Sequence, residues 1–420
     1  MIKAITGTRD ILPSDIPKWK YLEKIVSEVF QNFNYKEIRT PVFEETALFA
    51  RGIGEATDIV SKEMYTFIDR GGSSLTLKPE MTAGVVRAFI EHSLDKKLSV
   101  NKLYYVSPMF RQERPQAGRF RQFHQFGAEA LGSHDPMLDS EMIIMAYDIL
   151  MKLGLKNLVV KINSLGIPQS RENYKSILKK YLEQHFNDLS QESKKRFETN
   201  ILRIFDSKEE QDQKIMADAP LLLHYLDDES LQHFEKVKNS LNDAGINYEV
   251  DPKLVRGLDY YSHTTFEIVS GSVGSQSSLC GGGRYDMLVK ELGGGDIPGV
   301  GFAAGMERIL LACENEKSLN LPEENIDVYL VTLDKNLIDY TFKITVDLRR
   351  HGITAETDYL ARSVKAQMRE ANKLNAKFVL MIGGVEFENG EFVLKNMINS
   401  EQINISKNSF EELVNKLRGF

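Results

Sequence analysis

The chain has 420 residues, which at roughly 100–200 residues per domain predicts two or three domains with ordinary apolar cores and excludes a stapled mini-protein. Lys plus Arg total 53 against 60 for Asp plus Glu, a formal charge of −7, so a uniformly basic nucleic-acid coat protein is excluded and any nucleic-acid contact must be local. Two isolated cysteines, Cys280 and Cys313, exclude a disulfide framework or zinc cluster; with no signal-like N-terminus and no run of membrane-spanning length, the expectation is a cytoplasmic protein without a membrane partner.

Residues 14–34 place Trp19, Leu22, Ile25, Val26, Val29, Phe30 and Phe33 at three- and four-residue steps after the possible caps Ser14 and Asp15, which predicts an amphipathic helix. The segment YKEIRTPVF reads as a strand. Pro41 offers no N–H to a ladder, which confines that strand to a sheet edge or an interface whose cover could be a second subunit.

KPEMTAGVVRAFIEH predicts a helix with Glu80 and Thr82 in its first turn, where they either face a ligand or simply satisfy orphan N–H groups. Residues 103–131 read as an antiparallel hairpin around the polar turn ERPQAGR. Side-chain alternation puts Tyr105, Ser107, Met109, Arg111 and Glu113 on one face. On the partner strand Phe123, Gln125, Gly127 and Glu129 share a face, and the gap at Gly127 predicts a pocket walled by Gln125 and Glu129; an amphipathic hairpin with a solvated polar face is the alternative.

From about 168 to 248 the chain is helical, charged and free of motifs, an expected insertion. The segment LVRGLDYYSHTTFEIV sets Arg256 and two tyrosines before a strand, with SLCGGGRYD following. VGFAAGMERILLA is read as a helix with Gly301, Ala304, Gly305 and Arg308 on one face; two helical glycines cost about 1 kcal/mol each, reasonable for a flat ligand beside Arg308 or for close helix–sheet packing. A linker is expected near 314–326, followed by strand 327–332, helix 336–350, strand 353–357, helix 363–374, strand 377–382, two short strands and a final helix. Arg111, Arg256 and Arg308 with the acids Glu80 and Glu129, and no nucleophile–base pair, suit binding and phosphoryl charge stabilisation better than covalent catalysis.

In order and wording these segments resemble the histidyl-tRNA synthetases, class II aminoacyl-tRNA synthetases, across nearly the whole chain. TRDILP with YKEIRTPVFEETALFARGIGEATDIVSKEMYTF is similar to the dimer-forming first motif, FRQERPQAGRFRQFHQFGAE to the second and GVGFAAGMERIL to the third. LVRGLDYY and GGGRYD are similar to the two histidine-specific signatures. The resemblance implies an α+β fold: a class II antiparallel six-stranded sheet flanked by helices in a catalytic domain over 1–323, the insertion, and a C-terminal α/β anticodon-binding domain over 324–420. It implies ATP-dependent activation of L-histidine to histidyl-adenylate, transfer to the 3′ end of tRNA(His), MgATP as substrate with no organic cofactor, and a homodimer.

Carried onto this chain, the resemblance gives Arg111 and Arg256 catalytic contacts to the α-phosphate, Arg308 the γ-phosphate, and Glu113 a place in the ATP site. Glu80, Thr82 and Gln125 would hold the α-amino group, Glu129 and Tyr261 the imidazole nitrogens, and Tyr260 the pocket wall. Arg114, Gln116 and Arg119, beside Arg121 in the hairpin turn, would meet the acceptor end. Arg362, Lys365, Arg369, Lys373 and Lys377 recur at three- and four-residue steps, and either an RNA phosphate or plain solvation would relieve their repulsion. Met81 and Phe120 stand where relatives often carry Gly and Tyr, which places a larger side chain near the substrate and removes a hydroxyl. A histidine-binding regulatory paralogue and a class II synthetase for threonine, proline or glycine are the competing readings; the first is opposed by Arg256 and the last domain, the second by LVRGLDYY.

Overall fold

The computed structural model describes residues 2–54, 57–115, 118–255, 258, 260–276, 278–321 and 324–419. The chain divides into two compact units, Met1–Leu321 and Pro322–Phe420. In the first unit eight strands form one sheet, in the order Lys36–Glu37, Asn101–Phe110, Gln122–Leu131, Gly299–Gly305, Ser278–Arg284, Ser262–Ser270, Leu158–Ser164 and Tyr248–Val250. The inner six are mutually antiparallel, while the first and last are short strands added in parallel at the two edges.

The helix Ile16–Asn32 buries Trp19, Leu22, Ile25, Val26, Val29 and Phe30 against this sheet, the stripe that the spacing predicts. Asp15 does not cap it through its side chain; its carboxylate instead pairs with Lys18 at 2.7 Å. The segment YKEIRTPVF divides into two strands. Lys36–Glu37 takes the edge beside Leu103 and Tyr104, Phe43–Glu45 joins a separate three-stranded sheet with Tyr65–Ile68 and Ser74–Leu77, and Pro41 lies in neither.

The hairpin forms in a register that sets Tyr105 opposite Gly127 and Ser107 opposite Gln125. Residues 299–305 are a strand, and the helix begins only at Met306, which corrects the helical reading of Gly301, Ala304 and Gly305. Val300, Phe302 and Ala304 alternate into the core with period two, a pattern that the intervening glycines and alanine hide. That helix runs to Glu316, so the expected linker loses its first three residues.

Part of the charged region 168–248 belongs to the main body. The helix Asp228–Asp243 sends Phe234, Val237 and Leu241 into the same core as Met142 and Ile149 of Pro136–Lys152. The shorter helices of this region are tied by a polar clasp. Asp212 accepts from the Ser190 N–H at 2.8 Å and from the hydroxyls of Ser190, Ser193 and Ser207 at 2.7, 2.6 and 2.6 Å, which together outweigh burial and hold its carboxyl below the usual range.

The second unit has its own five-stranded sheet, ordered Ala355–Thr357, Val328–Thr332, Phe378–Ile382, Glu391–Asn396 and Gln402–Ser406, the first three parallel. Helices Ile338–Arg350, Val364–Lys373 and Phe410–Arg418 cover it, and the short helix Gly384–Glu388 adds to the expected pattern.

Candidate active site

The site forms where strands of the sheet meet the start of Thr82–Glu91 and the hairpin turn. A cleft of about 750 Å³ is lined by residues that include Glu80, Thr82, Arg111, Gln125, Tyr260 and Arg308. Glu113, Arg119, Phe120, Phe123 and Tyr261 border it as well. Residues from four separate stretches of chain, at 80–82, 111–125, 260–261 and 308, therefore share one cavity. Arg256 and Gln116 lie outside the described residues, and Arg114 is exposed.

Glu80 caps the helix. Its two oxygens accept the N–H groups of Thr82 and Ala83 at 2.8 and 2.9 Å, yet full burial still pushes its carboxyl above the usual range. The Thr82 hydroxyl then donates to Glu129 at 2.8 Å, and Tyr285 donates a short hydrogen bond to the other Glu129 oxygen. Glu129 is only 1% exposed, so it lies behind Thr82 and Tyr285 and does not form the wall that alternation predicts. Burial drives its pKa up to about 8 and the charge of Glu80 adds to this, against the two hydroxyl donors.

Two glycines make room for that arrangement. The gap at Gly127 is filled by Tyr105, whose hydroxyl would sit 2.4 Å from a Cβ placed there, so it is not an open ligand space. At Gly301 a Cβ would come 1.8 Å from Glu129 Oε2; the carboxylate occupies the volume a side chain would need. Tyr260 and Tyr261 stand 4.7 Å apart, and Tyr260 meets Tyr285 edge-on at 5.6 Å. Tyr105 and Tyr285 were not singled out by spacing, although Tyr285 lies within GGGRYD and Tyr105 on the predicted polar face.

The arginines are oriented by carbonyls. Arg111 Nε donates to Pro79 O at 2.9 Å and its guanidinium lies 5.3 Å over the Phe123 ring; Arg308 Nη1 donates to Ser278 O at 3.0 Å. Among the described residues neither forms an ion pair. Arg308 is depressed from its ordinary pKa by burial and by the nearby charge of Arg119. Arg119 pairs with Glu113 at 3.2 Å. Met81 is buried and its sulfur lies 3.5 Å from both the Thr40 hydroxyl and the Lys78 amine, while Arg9 sits 5.0 Å over Phe120.

In the second unit Arg362 pairs with Asp358 and, at 3.1 Å, with Glu370, and Lys377 pairs with Asp327 at 2.9 Å. Those two leave the expected basic face. Lys365, Arg369 and Lys373 remain exposed on Val364–Lys373, without an ion pair among the described residues.

Residues 7–309 match the family model of histidyl-tRNA synthetase. The chain belongs to the histidyl-tRNA synthetase family. Residues 327–418 match an anticodon binding domain. Over 417 residues the chain is 51% identical to the histidine–tRNA ligase of Halothermothrix orenii, covering 99% of each chain. It is 48% identical over 407 residues to that of Bacillus subtilis, covering 96% of each. The structure of apo histidyl-tRNA synthetase from S. aureus superposes with a TM-score of 0.83 at 41% identity, covering 99% of this chain and 100% of that one. Family membership agrees with the α+β architecture, and no helix among the described residues is long and apolar enough to cross a membrane.

The buried acid gives this family site a testable pH signature. An unfolded glutamate releases its proton near pH 4.3. Folded Glu129 keeps its proton to about pH 8, so its contribution to stability is complete below the lower value and is lost as pH rises through the higher one. Glu129→Gln has no proton to lose. The melting temperature of the variant minus that of the wild type should climb across this window and level off above it; calorimetry showing a flat difference would refute the buried, protonated state.

Proposed function

We propose that the cleft binds L-histidine and ATP side by side, joins them as histidyl-adenylate, and passes the histidyl group to the 3′-terminal adenosine of tRNA(His). A histidine carboxylate oxygen attacks the α-phosphorus, the bond to the bridging oxygen breaks, and pyrophosphate leaves with that electron pair. The 3′-terminal hydroxyl then attacks the acyl carbon and releases AMP. The observation that carries this reading is the convergence on one cleft of Glu80, Thr82 and Gln125 with Arg111 and Arg308, which have no counter-ion among the described residues, while the buried acid Glu129 is held behind Thr82 and Tyr285.

Two anions repel as they approach, and fixed cations lower that barrier without reorganising. Arg111, with Arg256, is assigned to the α-phosphate, Arg308 to the γ-phosphate, and Glu113 to the ATP site beside Arg119. Mg²⁺ would arrive on the triphosphate, with the carboxylates of Glu113 and Glu267 on the cleft lining as hard oxygen donors. Glu80, Thr82 and Gln125 take the α-amino group. Each Glu80 oxygen retains a lone pair beyond its helix contacts, and the Gln125 carbonyl oxygen is buried without a partner among the described residues.

Glu129 and Tyr261 address the two imidazole nitrogens, with Tyr260 closing the side. A pocket that bonds both nitrogens leaves buried groups unpaired when another side chain enters, enough for discrimination on the order of 10⁴–10⁵. Pyrophosphate exchange with each amino acid offered separately tests the whole reading. Only L-histidine should support exchange, and Arg111→Ala and Arg256→Ala should each lower it by about 10²–10³-fold in a folded protein. Exchange with a different amino acid, or near-normal exchange in both variants, would overturn it.

The catalytic domain, assigned to residues 1–323, would meet the acceptor end through Arg114, Gln116 and Arg119. The anticodon-binding domain, 324–420, would use the cations of Val364–Lys373. Lys365→Glu with Arg369→Glu should weaken tRNA charging and flatten its salt dependence while leaving histidine-dependent exchange intact; unchanged charging would remove this face from RNA binding.

A homodimer is supported by an apolar patch on the small sheet, where Val42, Phe43, Phe67 and Ile68 are 41%, 47%, 44% and 65% exposed next to Pro41. Sedimentation at micromolar concentration should give twice the chain mass, and Phe67→Asp should shift it toward the single chain; a monomeric wild type would dispose of the dimer.

A further inference from the structure

We propose that Glu307 is a positioning residue that couples the ATP half of the cleft to the histidine half, by clamping His124 onto the helix that carries Arg308. The inference rests on the assignment of both substrates to this cleft.

The ladder between Gln122–Leu131 and Gly299–Gly305 ends at the pair Gln125 and Gly305. One residue further on, no strand remains to receive the His124 N–H. Glu307 takes it instead: both carboxylate oxygens lie 3.0 Å from His124 N, and Oε1 also lies 3.0 Å from His124 Nδ1. The carboxylate is 7% exposed and borders the cleft. A charged acceptor in such a place strengthens its hydrogen bonds and extends the sheet pairing by one step.

The neighbours give this clamp its meaning. His124 directly precedes Gln125, and Glu307 directly precedes Arg308. Arg308 is itself tied to Ser278 O at 3.0 Å and, more weakly, to Gly118 O at 3.4 Å on the hairpin turn. Trp19 backs the His124 ring edge-on at 4.9 Å and 76°, packing one side of the ring while Glu307 holds its Nδ1. A shift of Arg308 onto a triphosphate therefore pulls on Glu307, and through His124 on the backbone that aims Gln125. The reverse holds equally, because coupling between two ligands is reciprocal.

Calorimetry on the full chain tests this with L-histidine and an ATP analogue carrying an α,β-methylene bridge. In the wild type each ligand should tighten the other by about five- to tenfold, in Glu307→Gln by less, and in Glu307→Ala not at all, while each separate affinity stays within about threefold. His124→Ala, which keeps the backbone N–H but removes the ring contact, should give an intermediate value. Absence of coupling in the wild type, full coupling in Glu307→Ala, or a collapse of both separate affinities would each overturn the proposal. A wild type that activates histidine yet shows no coupling defeats this inference alone; one that neither binds histidine nor supports exchange defeats the functional reading beneath it.

Discussion

The site depends on one costly arrangement, a carboxylate placed where water cannot reach it. Burial of Glu129 would be prohibitive for a bare charge, and the chain answers with two hydroxyl donors and an elevated pKa. The donors come from different elements, the first turn of Thr82–Glu91 and the segment after Ser278–Arg284. Their convergence requires the sheet to bring these segments together, and Gly301 to leave the carboxylate its volume. A buried acid in such a place has little use for an apolar neighbour and suits a group that can donate from nitrogen.

Arginine serves two purposes in the first unit, and the partners decide which. Arg284 is fully buried, bonded to Asp139 and Asp286 and to the carbonyls of Ser133 and Asp135, so its charge is spent on holding strand to helix. Arg111 and Arg308 rest on backbone carbonyls, which orient a guanidinium without cancelling it. Burial without a counter-ion is unfavourable for the free protein, as the lowered pKa of Arg308 indicates, and a polyphosphate relieves it. An acidic chain can thus present two guanidiniums without counter-ions among the described residues, in a cleft whose lining also carries carboxylates such as Glu80, Glu113, Glu267 and Glu307.

Where one period of side-chain alternation ruled, the sequence was legible. The stripe from Trp19 to Phe30, the hairpin, and nearly all of the second unit follow from spacing alone. Reading failed where small residues blurred the period, as in 299–305, whose glycines and alanines fit helix and strand equally well. It failed again where a vacancy in one strand was filled by a side chain from the next: Gly127 looked like ligand space, but Tyr105, opposite in register, claims it. Charge patterning missed Asp358 and Asp327, so Arg362 and Lys377 counted toward a basic face that these two acids, with Glu370 of the helix Val364–Lys373 itself, had already neutralised.

The two units solve stability separately. Each has its own apolar clusters, with Leu330, Phe378 and Leu380 central in the second, and none of these clusters draws residues from both units. Within the first unit the region 168–248 shows the same economy at smaller scale: Asp228–Asp243 shares the main core, whereas the stretch around Asp212 is closed by serine hydroxyls on a carboxylate. Behind that clasp the same stretch packs Leu189, Phe197, Ile204 and Met216 into an apolar cluster, while its Arg196 and Arg203 reach the cleft.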